Sequence, residues 1–168
     1  MRCARIPALR RGCRGGAGFS VKVIERSAIV THTAGQMFAL VDDVARYPQF
    51  LPWCRDARIE SVSARERLAA LQIAKGSLHM EFTTRNTVEP DALITMELVK
   101  GPFNRLTGRW SFTSLGERGS RVVFRVEFEF KNRLMRIALD PLFESICDKI
   151  VDAFVKRAQD VYRGASQP

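Results

Sequence analysis

Hydrophobic and polar positions alternate most cleanly in RVVFRVEFEF (121–130). Val122, Phe124, Val126, Phe128 and Phe130 take one side, and Arg121, Val123, Arg125, Glu127 and Glu129 the other. Successive side chains of a strand point to opposite faces, so this period of two predicts one buried and one wet face, as in an antiparallel sheet. The same alternation recurs at Leu78, Met80 and Phe82, at Ile94, Met96 and Leu98, and at Leu106, Trp110 and Phe112. These segments predict strands near 55–63, 67–76, 78–89, 92–100, 106–114 and 120–131, after a β-branched first strand at 21–31. Gly101-Pro102 and LGERGS (115–120) read as turns between them.

Two stretches follow the helical period instead. Thr33 with Gln36 three residues on forms a capping box, and Met37, Phe38, Leu40, Val41 and Val44 continue at helical spacing. This helix is expected to end near Tyr47-Pro48, because proline disfavours helix in the residue before it. Asp140-Pro141 reads as the start of a second helix, an acidic N-cap followed by proline. Leu142, Phe143, Ile146, Ile150, Phe154, Ala158 and Val161 form its apolar stripe, with NRLMRIAL a shorter turn ahead of it. The order β-α-β₆-α predicts an α+β domain, a curved antiparallel sheet wrapped around one long C-terminal helix. Such an arrangement can enclose a cavity or pack solid, and periodicity suits both. Between the first helix and the sheet lies YPQFLPWC (47–54), rigid, apolar and without a period.

Charge changes the picture at one end. The 168 residues carry a net charge of +9, but Arg2, Arg5, Arg10, Arg11 and Arg14 fall in an acid-free opening stretch. The body is only mildly basic, which weakens any case for DNA. Residues 1–20 are expected to be a disordered basic tail, a start placed upstream of the natural one at Val21, or a targeting peptide. The folded domain is expected at 21–163, with 164–168 a disordered end. Cys3, Cys13, Cys54 and Cys147 show neither C-x-x-C nor zinc-ligand spacing, so they read as reduced thiols in a cytoplasmic setting. With no membrane-length apolar run, the chain is expected to be soluble or peripheral.

Candidate chemistry is sparse. His32 and His79 lie beside no nucleophile motif and read as exposed polar residues. Adjacent Asp42 and Asp43 point to different helix faces, so neither a metal site nor an acid–base pair is expected. GPFNRLTGRW lacks the order of a phosphate loop. Arg105 and Arg109 share a strand face and, with Lys131, Arg133 and Arg136, form either a solvated surface or a basic patch for RNA or acidic head groups. In FTTRNTV (82–88), Thr84 and Asn86 fall on the same face as Phe82, which puts polar groups inward, where they need partners.

YPQFLPWC, FTTRN, GPF, GRWSF, FEFKN and VDAFVKRAQDVY, in this order from Val21 to Tyr162, resemble the coenzyme Q-binding START-domain family, which includes bacterial ribosome-association toxins. The resemblance implies a helix-grip fold with a cavity for a hydrophobic ligand and no catalysis. In the quinone-binding branch it implies ubiquinone and support of respiration, with contact at the inner membrane. In the toxin branch it implies binding to the large ribosomal subunit and a block on subunit joining. On the first reading the polyprenyl tail lies against Phe82, Met96, Trp110, Phe128 and Phe154. Phe50, Leu51, Pro52 and Trp53 then form the mouth, and Thr84 and Asn86 meet the quinone oxygens.

Overall fold

The computed structural model describes residues 21–163. The expectations for residues 1–20 and 164–168 lie outside the described residues. Seven strands form one sheet: β1 (Lys22–Val30), β2 (Cys54–Ser61), β3 (Glu66–Lys75), β4 (Leu78–Glu89), β5 (Leu93–Lys100), β6 (Phe103–Leu115) and β7 (Gly119–Phe130). Their spatial order is β1-β7-β6-β5-β4-β3-β2, and every neighbouring pair is antiparallel. From β2 to β7 each strand pairs with its successor, and β1 closes against β7, with Lys22 opposite Phe128 and Val30 opposite Ser120. This is the expected grip: the alternating residues of β4, β6 and β7 turn inward onto the long helix α2 (Arg133–Val161). Phe128, Phe103 and Phe154 are almost completely buried in that interface.

The first helix, α1 (Ala34–Asp42), begins as its capping box predicts. The Gln36 amide donates to Thr33 Oγ1 at 3.1 Å and the Thr33 amide to Gln36 Oε1 at 3.0 Å. It stops earlier than expected, because Asp43 leaves helical geometry (φ −81°, ψ 64°). The chain resumes as a 3₁₀ helix, Val44–Gln49, which takes in Tyr47 and Pro48. The Tyr47 hydroxyl donates to the Val41 carbonyl at 2.6 Å and ties the two turns together.

The second helix departs further. Asp140-Pro141 does not start it: α2 opens at Arg133, where Asn132 accepts from the Met135 amide at 2.8 Å, and it continues through Pro141. Its 29 residues span about 44 Å. Asp140 is buried and ion-paired with Lys22 of β1 at 2.8 Å. Glu144 also bonds Lys22, and Asp148 bonds Arg26, so the edge strand is fastened to the helix by charge. Hydrogen bonds from Lys22, to Asp140 first and then to Glu144, raise its pKa above the ordinary value. The acid that resembles an N-cap is therefore an internal anchor. His32 is also corrected: it is buried beside Tyr162, with ring centres 5.8 Å apart, rather than exposed. His79 is exposed as expected.

Candidate functional site

The inner face of the sheet and α2 do not fill the space between them. Small side chains border a slot: Ala69 on β3 and Gly108 on β6 line it from the sheet. Its walls are Leu51, Trp53 and Cys54 at one end, Phe82, Met96, Trp110 and Phe124 along the sheet, and Phe143, Ile146, Cys147 and Ile150 from α2. The slot and its mouth comprise about 780 Å³, of which about 80 Å³ admits the centre of a water molecule. The enclosed part is narrow, well short of the ~300–1,000 Å³ of typical small-molecule pockets.

The polar lining is concentrated at two residues. Thr84 donates to Asn86 Oδ1 at 2.8 Å, and both are buried. An inward hydroxyl and amide two residues apart on β4 thus satisfy each other in part, and the Asn86 amide group retains donor capacity toward the slot. The titratable groups that face the slot are Tyr47, Cys54 and Cys147. Burial pushes the Cys54 thiol up to about 11, with Asp56 adding to the effect. Burial raises Cys147 further and holds the Tyr47 phenol far above its ordinary value. These groups stay protonated near neutral pH, so the slot presents neither a thiolate nor a carboxylate pair. Cys54 and Cys147 are free thiols, and no metal-holding cluster occurs among the described residues.

Of the residues expected to meet a ligand, Leu51, Trp53, Phe82, Thr84, Asn86, Met96 and Trp110 come together on the slot wall. Phe50, Pro52, Phe128 and Phe154 do not. Phe128 packs behind it against Phe143, with centroids 4.7 Å apart. Phe154 is wedged between Tyr47, Phe50 and Trp110. Phe50 lies against that ring from outside, and the Arg157 guanidinium sits 5.1 Å over its face. Pro52 borders a shallow outer depression with Trp53, Lys75, Ile146 and Lys149. Trp53 and Ile146 line both spaces and so form the partition between slot and exterior. Sequence reasoning missed Ala69 and Gly108, although a glycine inside a strand pattern is a signal for close approach or open space.

The five candidate cations separate. Arg105 and Arg109 lie on the outer sheet face among acids: Arg105 pairs with Glu127 at 3.2 Å, and Arg125 bridges Glu127 at 3.0 Å and Glu25 at 3.4 Å. Hydrogen bonding from Arg125 holds the Glu127 carboxyl below its ordinary range. Lys131, Arg133 and Arg136 sit at the β7–α2 junction, away from those acids.

The family described as polyketide cyclase/dehydrase and lipid transport matches residues 30–155. The chain belongs to this family. It is 42% identical over 139 residues to the Ribosome association toxin RatA of Pseudomonas aeruginosa, covering 83% of this chain and 96% of that protein. A more distant relative is the mitochondrial Coenzyme Q-binding protein COQ10 of Drosophila melanogaster, 29% identical over 147 residues, with 85% of this chain and 60% of that one covered. Among solved structures, the Zhui aromatase/cyclase from a Streptomyces species superposes with a TM-score of 0.76 at 17% identity, covering 89% of this chain and all of that one. At that identity the likeness concerns the fold alone. The helix-grip architecture and the START-like resemblance of the sequence motifs both stand. No helix among the described residues is long and apolar enough to cross a membrane.

Proposed function

We propose that this chain is a ribosome-association factor that binds the large ribosomal subunit and hinders its joining to the small one, acting in the cytoplasm. The observation that carries this reading is the 42% identity to a ribosome association toxin along 96% of that relative's length. The cations of the β7–α2 junction supply a surface suited to phosphate-rich RNA, whose binding weakens steeply with salt. Co-sedimentation of the purified protein with isolated large subunits should be salt-sensitive, and overexpression should raise free subunits at the expense of joined ribosomes. An unchanged ribosome profile together with no co-sedimentation would remove this reading.

The slot favours a second, compatible reading: the domain holds a polyprenyl quinone such as ubiquinone and does not transform it. The walls are apolar, the polar lining is concentrated at Thr84 and Asn86, and the facing thiols and phenol remain neutral. An apolar tail gains about 0.8 kcal/mol per buried methylene-sized group, and the Asn86 amide can donate to a quinone oxygen. Native mass spectrometry of gently purified protein should show a bound quinone. A protein that arrives empty and also ignores added quinone would exclude it.

A further inference from the structure

The opening turns of α2 carry a second apolar stripe on the side away from the core. Leu134, Ile137, Ala138 and Pro141 stand at i, i+3, i+4 and i+7, the spacing of one helix face, and all four are exposed. Leu134 is 80% and Ile137 65% exposed. The stripe lies in a run without acids: Lys131 and Arg133 flank it, Arg136 is half-buried behind it, and the nearest acids are withdrawn. Glu129 is buried, and Asp140 is buried and bound to Lys22. The Lys131 amide donates to the Pro102 carbonyl at 2.9 Å, which brings exposed Val99 and Lys100 at the end of β5 toward the same corner.

We propose that this corner docks on an anionic lipid bilayer. Leu134 and Ile137 enter the boundary between head groups and acyl chains, while Lys131, Arg133 and Lys100 meet the head-group phosphates. A helical segment with an apolar outer face and basic flanks lies in the membrane interface rather than across it. Charge selects this occupant over two others, and the apolar stripe selects it over a third. A second copy would bring two cationic corners together. The chain's own first twenty residues carry five arginines and no acid. Their charge is of the same sign as that of Lys131, Arg133 and Lys100, so they offer this corner no complement. An RNA backbone would engage the cations but leave the most exposed leucine and isoleucine side chains with no apolar partner. This inference shares Lys131 and Arg133 with the ribosome reading and differs from it in the role it gives the exposed Leu134 and Ile137 side chains.

The test is vesicle sedimentation of the full chain. It should bind vesicles of equimolar phosphatidylglycerol and phosphatidylcholine and bind phosphatidylcholine vesicles far more weakly. The Leu134→Ser/Ile137→Ser variant should lose at least about tenfold in partitioning, since each apolar side chain gains by leaving water. The Lys131→Gln/Arg133→Gln variant should lose about fivefold per cation removed. All four positions are exposed, and thermal melting should match that of the unaltered protein. The proposal is overturned if the serine variant binds mixed vesicles undiminished, which would assign binding to charge alone. It is equally overturned if the chain ignores anionic vesicles, or if the serine substitutions instead abolish self-association or large-subunit binding.

Discussion

A β-carbon on Gly101 would stand 2.6 Å from the β-carbon of Phe82, and the residue's φ of 154° is one that other residues rarely adopt. Neither obstacle can yield, because both belong to backbone-fixed atoms. Gly101→Ala should therefore lower stability by about 2–3 kcal/mol, measured as a shift in the urea midpoint. Gly108 is the instructive contrast. Its β-carbon would meet the terminal methyl of Met96 at 2.6 Å, a flexible end free to swing into the slot. Gly108→Ala should change stability by about 1 kcal/mol or less and instead reduce retention of any ligand, read by mass spectrometry. The thiols give a pH signature. Cys54 titrates near 9.0 when unfolded and at about 11 when folded, so its contribution to stability is complete below pH 9 and is lost as pH rises toward 11. Cys147 and Tyr47 shift in the same direction. A Cys54→Ala/Cys147→Ala variant should show a shallower alkaline decline in melting temperature than the unaltered protein.

At the scale of the element, the strands were legible and the long helix was only half so. Alternation over 121–130 marks β7 because each inward residue has a wet neighbour, and a two-residue period leaves no second interpretation. Asp140-Pro141 misleads because it carries the chemistry of a helix start where an ion pair to β1 needs the acid instead. The true start rests on Asn132 accepting from the Met135 amide, a good N-cap that reads as only a short separate turn because the Asp140-Pro141 signal follows it. Two substitutions separate these signals. Asn132→Ala should cost about 1 kcal/mol through the lost cap. Pro141→Ala should raise stability by about 1–3 kcal/mol, since alanine restores the amide that proline withholds from the preceding turn. Thermal melts of both variants check the pair. A destabilised Pro141→Ala protein would mean that proline geometry is needed to aim Asp140 at Lys22.

For the whole molecule, the existence of an inward face could be read from sequence, but the unfilled part of it could not. Phe82, Phe128 and Phe154 carry the same periodic signal, yet Phe82 borders the slot while the other two pack solid behind it. What separates them is the line α2 takes across the sheet and the small residues Ala69 and Gly108, both consequences of tertiary packing. A ligand that occupies this slot binds the folded chain alone, so at a hundredfold excess over its dissociation constant it should add about 2.7 kcal/mol of stability. The sheet order has a further consequence, in time rather than in space. From β2 to β7 each strand meets its partner as soon as the next hairpin is made, but among the described residues Lys22–Val30 pairs with Ser120–Phe128 and is fastened by charge to Arg125 of β7 and to Asp140, Glu144 and Asp148 of α2. During synthesis the first strand to leave the ribosome is the last to find its place, and it stays an open edge until nearly the whole domain has emerged. Contacts so distant along the chain slow folding. The step that completes the grip is thus the return of β1, and it also caps the otherwise exposed edge of β7 against pairing with another chain.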